Sequence, residues 1–236
     1  VKDSKLIIGT HALLHQEKFG NVGLVVIDER HRFGVSQRAK ITKNNQKNYP
    51  HTLTMTATPI PRTISLTVYG DLDISRLDEM PPGRKPVKTY LISQDKRNDC
   101  YQWTREQINK KGIQAFIICP LVEESETLDS VKSAVEEYNH LKENIFADLD
   151  LGLVHGRLKA DEKDHVLTQM AQGEIDILVA TPVVEVGIDI PNTNIMIIES
   201  AQRFGLAQLH QLRGRIGRGE EQAYCFLFAD HLGKKA

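Results

Sequence analysis

Short apolar runs alternate with amphipathic stretches along this chain. Nine of the runs have the length and composition of β-strands: KLIIG, LVVID, HTLTMTA, VKTYLI, QAFIIC, LGLVHG, IDILVAT, NIMIIES and AYCFLF. Several are apolar at nearly every position, which indicates strands covered on both faces, as in a parallel sheet flanked by helices. Between them, Val135 and Tyr138 recur at helical spacing, as do Val166 and Met170 before Gly173. The pattern predicts a βαβ rhythm and an α/β fold.

One segment rich in Pro and Gly, MPPGRKP at residues 80–86, interrupts this rhythm and is the best candidate for a linker. We therefore expect a first lobe at residues 1–80, a linker at 81–86 and a second lobe at 87–236. The second lobe has enough strands and helices for a complete doubly wound sheet, whereas the first has too few. Because the chain opens without Met and directly into a strand-like run, we expect the first lobe to be truncated at its N-terminus.

The charge balance is informative only in its distribution. Thirty basic and 31 acidic residues leave a net charge of -1, which argues neither for nor against a polyanionic partner. Residues 203–219, however, contain four arginines and no acid, whereas residues 121–150 contain nine acids and two lysines. Nucleic acid is expected to bind the first of these regions.

The cysteines and the apolar runs limit the cellular setting. Cys100, Cys119 and Cys225 are far apart and form no CxxC pair, so neither a disulfide framework nor a zinc site is indicated. A reducing cytoplasm fits this pattern best. No apolar run approaches the roughly 20 residues of a membrane helix, and the N-terminus lacks the order of a signal peptide. We expect a soluble protein.

The stretch VVIDERHRFG, residues 25–34, places two adjacent carboxylates directly after an apolar strand. Asp28 and Glu29 would then lie at the carboxyl end of a parallel sheet, where open α/β folds bind ligands. One carboxylate can hold hydrated Mg²⁺, and the other can orient or deprotonate an attacking water. An isolated pair of this kind is more often a solvated strand end, so that alternative stays open here.

The stretch QLHQLRGRIGRG, residues 208–219, is the second candidate. Arg215 and Arg218 lie three residues apart on a predicted helix, and Gln211 lies four residues before Arg215 on the same face. Such a row suits a triphosphate, although an exposed basic helix is the simpler alternative. Gly214 and Gly217 would each cost about 1 kcal/mol inside a helix, so they call for a reason such as close backbone approach.

Four segments are similar to successive motifs of the superfamily-2 helicases, and they occur in that family's order: DERH at 28–31, TATPIPRT at 56–63, TPVVEVGIDIPN at 181–192 and QLHQLRGRIGR at 208–218. Around them, four further segments resemble the RecG family of DNA helicases: HRFGVSQR, YGDLDISRLDEMPPGRKPVKT, PLVEESE and LVHGRLKADEKDHVL. The resemblance covers nearly the whole chain. It implies two RecA-like parallel-sheet lobes, the first incomplete and the second complete, and a motor that uses ATP and Mg²⁺.

The resemblance assigns roles to the acidic motif. It implies that Asp28 coordinates Mg²⁺ and that Glu29 acts as the catalytic base. His31 would link the nucleotide to a coupling segment formed by Thr56, Ala57 and Thr58. Arg30 stands where RecG proteins more often carry Gln.

In the second lobe, the resemblance implies that Gln211, Arg215 and Arg218 face the triphosphate of ATP. Gly187 and Asp189 would lie near the nucleotide and the interface between the lobes.

Contacts to nucleic acid should be mostly to its backbone, because a motor must step along any sequence. The resemblance places these contacts at two sets of residues, one in each lobe: Gly9, Thr10 and His11, and His155, Gly156 and Thr181. Taken singly, each of these residues has a simpler interpretation as loop punctuation or a polar cap.

The resemblance implies an ATP-dependent DNA helicase that remodels stalled replication forks and Holliday junctions in bacterial recombination and repair. Its expected partner is branched or duplex DNA, and we expect a monomer in the cytoplasm, associated with the nucleoid. A transcription-repair coupling factor, a translocase with a similar motor, is the alternative within the same class.

A phosphate-binding loop of the form G-x-x-x-x-G-K-[ST] occurs nowhere in the 236 residues. This loop supplies the backbone N–H groups and the lysine that hold the β and γ phosphates. We therefore expect negligible ATPase activity from this chain alone, which leaves a non-catalytic nucleic-acid-binding fragment as a further alternative.

Overall fold

The structure is a computed structural model, and it describes residues 5–10, 13, 22–28, 50–56, 73–77, 79, 83–120, 128–182 and 190–229. For residues 128–132 it describes the backbone. The chain divides into two compact units, Val1–Asp73 and Ile74–Ala236. The predicted linker at residues 81–86 stays a prediction.

In unit 1, two short strands pair in parallel: β1 is Leu24–Ile27 and β2 is His51–Thr54. Two further hydrogen bonds join the strands at their ends: the amide of His51 donates to the carbonyl of Gly23 at 3.0 Å, and the amide of Met55 donates to the carbonyl of Ile27 at 2.8 Å. Both strands were expected from their apolar sequences, and the structure confirms them.

The predicted strand KLIIG is wrong, because residues 5–9 form no strand in the structure. Leu6 and Ile8 are exposed there. A strand needs a neighbouring backbone to accept and donate its hydrogen bonds, and none of the described residues pairs with this segment.

Unit 2 contains a six-stranded sheet in which every pair is parallel, with the strand order β3-β8-β7-β4-β6-β5. Its strands are β3 Lys88–Ile92, β4 Gln114–Ile118, β5 Leu151–Val154, β6 Ile177–Ala180, β7 Thr193–Ile198 and β8 Tyr224–Phe228. In the described part of unit 2, four helices accompany them: α1 Arg97–Lys111, α2 Leu128–His140, α3 Ala160–Gln172 and α4 Leu206–Arg213. A π-helical turn, Leu141–Ile145, follows α2, and among the described residues 3-10 helices form at Gln94–Lys96 and Ala201–Arg203. The predicted α/β class is confirmed.

The central strands are buried on both faces. Every residue of β4, β6 and β7 is buried. Alternate residues serve two separate cores: Phe116 lies in the core that contains Met170 of α3 and Leu212 of α4, and Ile117 lies in the core that contains Ile108 of α1. Continuous apolar runs in the sequence therefore reflect a layer of helices on each side of the sheet.

Glycines end two of the helices. Gly112 follows α1 with φ 63° and donates its amide to the carbonyl of Ile108 at 2.8 Å. Gly173 follows α3 with φ 80°, as its position after the helical repeat predicted. Glycine adopts this left-handed conformation without the steric cost of a Cβ atom. Within the described ranges, each helix is too short or too polar to cross a bilayer.

A buried carboxylate joins α1 to the end of β7. Glu199 accepts hydrogen bonds from the Tyr101 hydroxyl at 2.6 Å and from Arg97 Nη2 at 2.7 Å. Burial, together with the neighbouring Glu199 carboxylate, raises the pKa of Tyr101, so its hydroxyl remains a neutral donor. The Arg97 guanidinium also lies 4.8 Å from the centre of the Phe228 ring. The ionised group is thus enclosed by donors, which offsets its removal from water.

Replacing Tyr101 by Phe should lower the free energy of unfolding by about 1–2 kcal/mol, because it removes a buried bond to a charged group and keeps the ring. Urea unfolding can be followed by the fluorescence of Trp103, the single tryptophan, which packs 5.0 Å from Tyr224. The matched control is Lys110→Ala, which breaks an exposed pair with Glu106 and should cost less than about 0.5 kcal/mol. Equal losses in the two variants would contradict this account.

The three cysteines are buried free thiols. Burial raises the pKa of Cys100 and of Cys225 to about 12, and it raises the pKa of Cys119 well above its ordinary value. The thiolate, which is the reactive form, is therefore scarce below pH 9.

At pH 8 the folded protein should react very slowly with a thiol reagent such as Ellman's reagent, and all three thiols should react once guanidinium is added. The released chromophore measures the number of accessible thiols. Rapid reaction of any cysteine in the folded protein would show that its thiol is accessible to solvent.

Candidate functional site

The acidic motif begins at the carboxyl end of β1. Asp28 follows Ile27 directly and is exposed. Thr56 lies two residues beyond the end of β2, and it too is exposed. Because β1 and β2 are parallel and Ile27 pairs with Thr54, both residues lie at the same end of this strand pair. Four other predicted residues of unit 1's nucleotide site lie outside the described residues: Glu29, His31, Ala57 and Thr58.

The predicted DNA-contacting segment of unit 1 is described in part. Gly9 and Thr10 are exposed, and the carbonyl of Thr10 accepts the amide of Leu13 at 3.0 Å, which closes a turn. A Cβ atom at Gly9 would lie 2.7 Å from Leu13 Cγ, so the turn leaves little room for a side chain there. His11 lies outside the described residues. Exposure of the backbone here is compatible with a contact to phosphate.

In unit 2, three predicted DNA-contacting residues follow neighbouring strands. His155 and Gly156 come after β5, and Thr181 comes after β6. The amide of Thr181 donates to the carbonyl of Val154 at 3.2 Å, which brings the two strand ends together. His155 and Gly156 are half-buried, whereas Thr181 is fully buried. The structure therefore places these residues at one edge of the sheet, and a direct contact of Thr181 with DNA stays a prediction.

Lys163 fastens the turn that contains Gly156. Its Nζ donates to the Gly156 carbonyl at 2.9 Å from the first turns of α3. The amide of Leu158 donates to the carbonyl of His155 at 3.2 Å, and the amide of Lys159 donates to the Glu162 carboxylate at 2.9 Å. These bonds hold the turn between β5 and α3 from both sides.

The arginine-rich segment differs from its predicted form. Helix α4 ends at Arg213, and residues 214–219, here called the arginine loop, follow it. Gln211 lies on the helix, and Arg215 lies in the turn after it. Gly217, which has a left-handed conformation (φ 70°), comes directly before Arg218. The expectation that Gln211, Arg215 and Arg218 share one helix face is therefore wrong.

Close packing explains why the helix ends before the arginine loop. A Cβ atom at Gly217 would lie 2.8 Å from the Cβ of Ala223, so a larger residue does not fit there. The Gly217 amide donates to the carbonyl of Thr193 at 3.2 Å, and Ile216 is fully buried. The prediction that a glycine here reflects close backbone approach is confirmed at Gly217.

The two arginines of this loop flank a buried dipeptide, Ile216-Gly217. Arg215 is half-buried and Arg218 is exposed. The amide of Arg215 donates to the carbonyl of Leu212 at 2.9 Å, which ties it to the last turn of α4. A fixed backbone that presents two guanidinium groups is suited to binding an anion such as a phosphate.

Arg84 belongs to this arrangement and was missed from the sequence. Its Nε donates to the carbonyl of Gly217 at 3.1 Å, and its Nη2 lies 3.5 Å from the carbonyl of Ile216. The only signal was the arginine within PPGRKP, which was interpreted as a linker on its Pro and Gly content.

The remaining predicted nucleotide contacts, Gly187 and Asp189, lie outside the described residues. In the part of the chain that the structure describes, no three His, Cys, Asp or Glu side chains are grouped closely enough to hold a metal ion.

Two family models match the chain. "Helicase conserved C-terminal domain" matches residues 96–220, more than half of the chain, and "DEAD/DEAH box helicase" matches residues 1–67. The first therefore covers most of unit 2, including α4 and the arginine loop, and the second covers most of unit 1.

Curated relatives agree with the family models. The ATP-dependent DNA helicase RecG of Thermotoga maritima is 53% identical over 232 residues, which are 98% of this chain and 29% of that protein. RecG of Bacillus subtilis is 49% identical over 226 residues, which are 95% of this chain and 33% of that protein. The chain thus spans about a third of the length of these relatives.

Solved structures show the same likeness. RecG bound to a three-way DNA junction is 49% identical, with a TM-score of 0.72 over 97% of this chain and 29% of that one. Saccharomyces cerevisiae Dbp5 bound to RNA and ADP BeF3 is 19% identical, with a TM-score of 0.58 over 89% of this chain and 54% of that one, which shows a shared fold. The chain belongs to the superfamily-2 helicases that carry the conserved helicase C-terminal domain, and among them it is of the RecG type.

Proposed function

We propose that this chain is the motor portion of an ATP-dependent DNA helicase that remodels stalled replication forks and Holliday junctions in recombination and repair. The observation that carries the proposal is the match of 97% of the chain to RecG in complex with a three-way DNA junction. The motor would act on branched or duplex DNA as a monomer, in the bacterial cytoplasm and in association with the nucleoid. The arginine loop and the exposed carboxylate of Asp28 support this proposal, because both suit the binding of a nucleotide.

In unit 1, the acidic motif would bind Mg²⁺ and activate water. Asp28 offers an exposed carboxylate, and Thr56 lies at the same end of the strand pair. Oxygen donors at an exposed strand end fit a hydrated Mg²⁺ ion. Such an ion, bound with ATP, would neutralise charge on the phosphates. Glu29 would take the proton of the attacking water, and His31 would connect the nucleotide to the Thr56, Ala57 and Thr58 segment.

In unit 2, Arg215 and Arg218 would neutralise the charge that develops on the γ-phosphate during transfer, and Gln211 would contact the same phosphate. Arginines in this role contribute about 10³ to 10⁵ in rate where they have been measured. Because Arg215 is half-buried and Arg218 is exposed, the two guanidinium groups would contact different oxygens of the γ-phosphate. Gly187 and Asp189 would lie beside the nucleotide.

DNA would be held through its backbone rather than its bases. The exposed turn at Gly9 and Thr10, with His11 after it, and the tied turn at His155 and Gly156 offer backbone groups for this purpose. Thr181 would support that turn, because its amide joins the end of β6 to the end of β5. Contacts of this kind give affinity without sequence preference.

The first test is Glu29→Gln in the protein extended to the length of its relatives. Loss of the proposed base should lower the DNA-stimulated ATPase rate by about 10² to 10⁴, because the amide cannot accept the proton of the attacking water. A coupled phosphate-release assay with branched DNA measures the rate. Glu106→Gln, at a partly exposed site on α1, is the matched control and should keep the wild-type rate. ATP hydrolysis by Glu29→Gln at the wild-type rate would refute the assigned role.

The 236-residue chain by itself should hydrolyse ATP negligibly, because it lacks the phosphate-binding loop signature. It should nevertheless bind duplex DNA weakly, and the affinity should fall as the salt concentration rises. Phosphate release and fluorescence anisotropy measure the two properties on the same sample. Robust DNA-stimulated hydrolysis by this chain would overturn the prediction and would require another group to hold the phosphates.

A further inference from the structure

The segment 84–88, immediately before β3 and at its start, is fastened to the arginine loop and to the residues after it. The Pro86 carbonyl accepts a bond from Gln222 Nε2 at 2.8 Å, and the Lys88 amide donates to the carbonyl of Ala223 at 3.0 Å. Val87 packs against the core cluster beneath them. Residues 84–88 thus have a fixed position on unit 2.

Arg84 extends this attachment into the arginine loop itself. Its guanidinium faces two successive carbonyls, with Nε 3.1 Å from the oxygen of Gly217 and Nη2 3.5 Å from the oxygen of Ile216. A guanidinium presents its N–H groups as a rigid planar fork, so it fixes the direction of the carbonyls that it binds. The shorter of the two bonds is to Gly217, the residue directly before Arg218.

Gly217 is held on both of its peptide groups. Its amide donates to the Thr193 carbonyl at the start of β7, and its carbonyl accepts from Arg84. Gly217 could adopt many other backbone angles besides its left-handed conformation, because glycine has no Cβ atom. The two bonds therefore replace the restraint that the side chain does not provide, and they set the direction in which the chain continues to Arg218.

We infer that Arg84 is a positioning residue for Arg218, and through it for phosphate transfer. The inference rests on the proposed function, in which Arg218 binds the γ-phosphate. Arg84 itself is half-buried and its bonds are to backbone, so its action on the reaction is through the loop. Displacing a catalytic group by about 1 Å can cost about 100-fold in rate.

The kinetic consequence is specific. A group that acts mainly in the transition state affects kcat, whereas a group that binds the ground state equally affects KM. Misplacement of Arg218 should therefore lower kcat and leave the KM for ATP nearly unchanged. A variant that merely loosens unit 2 would instead lose activity in proportion to its folded fraction.

The experiment compares three variants of the protein extended to the length of its relatives: Arg84→Ala, Arg84→Lys and Lys85→Ala. Arg84→Ala should lower kcat for DNA-stimulated ATP hydrolysis by about 10- to 100-fold. Arg84→Lys keeps the charge and can donate to one carbonyl, so its kcat should be intermediate. Lys85 is exposed beside Arg84, and its replacement removes the same charge, so it should keep the wild-type kcat.

Hydrogen exchange of the same proteins gives a readout independent of catalysis. In Arg84→Ala, the Gly217 amide should exchange at least about 10-fold faster, because the loop opens locally, while the amides of β4 and β7 keep their protection. Loss of kcat together with this local change supports the inference.

Other outcomes decide against it. Wild-type kcat in Arg84→Ala, an equal loss in Lys85→Ala, or unchanged exchange at Gly217 would each overturn the inference. If Arg84→Ala does not fold, Arg84→Lys decides in its place, and a wild-type kcat there would overturn the inference. Absence of ATP hydrolysis by the wild-type protein would be a different result, since it would overturn the proposed function and the catalytic role with it.

Discussion

The backbone groups of β4, β6 and β7 lie between two apolar layers, so their N–H and C=O groups can bond only to one another along the sheet. This requirement keeps neighbouring strands paired in register, and the only polar side chains of these three strands are at their first residues: Gln114 of β4, and Thr193 and Asn194 of β7. The other polar groups near these strands lie beyond the strand ends. The carboxyl edge accordingly carries His155 after β5, Thr181 after β6 and Glu199 after β7. The predicted DNA-contacting residues of unit 2, His155, Gly156 and Thr181, lie at or next to this edge.

The same requirement determines which parts of the fold could be predicted from sequence. A strand buried on both faces is apolar along most of its length, so β6 and the C-terminal parts of β4 and β7 were evident as continuous apolar runs, although β4 and β7 each begin with polar residues. The run KLIIG was equally apolar, yet residues 5–9 form no strand. Apolar composition indicates that a segment is favoured to be buried. A strand also needs a neighbouring strand to form its backbone hydrogen bonds, and the apolar run alone does not specify that neighbour.

The arginine loop shows a second limit of local patterns. Spacing placed Gln211, Arg215 and Arg218 on one helix face, whereas the helix ends at Arg213. What ends it is the fit of Gly217 against Ala223 and its bond to Thr193, both of them distant or later in the chain. The two glycines in this stretch already argued against a continuous helix, since each is costly inside a helix. Likewise, Pro and Gly content indicated a break before β3 but did not indicate that Arg84 binds this loop.

A loop positions two arginines differently from a helix. On a helix, one rigid rod would fix both side chains together. In this structure, Arg215 is tied to α4 through the carbonyl of Leu212, whereas the residue before Arg218 is tied to β7 and to Arg84. The two guanidinium groups therefore depend on separate elements of unit 2. A movement of residues 84–88 would shift Arg218 while Arg215 stays with α4, so the segment before β3 and the position of Arg218 are mechanically joined.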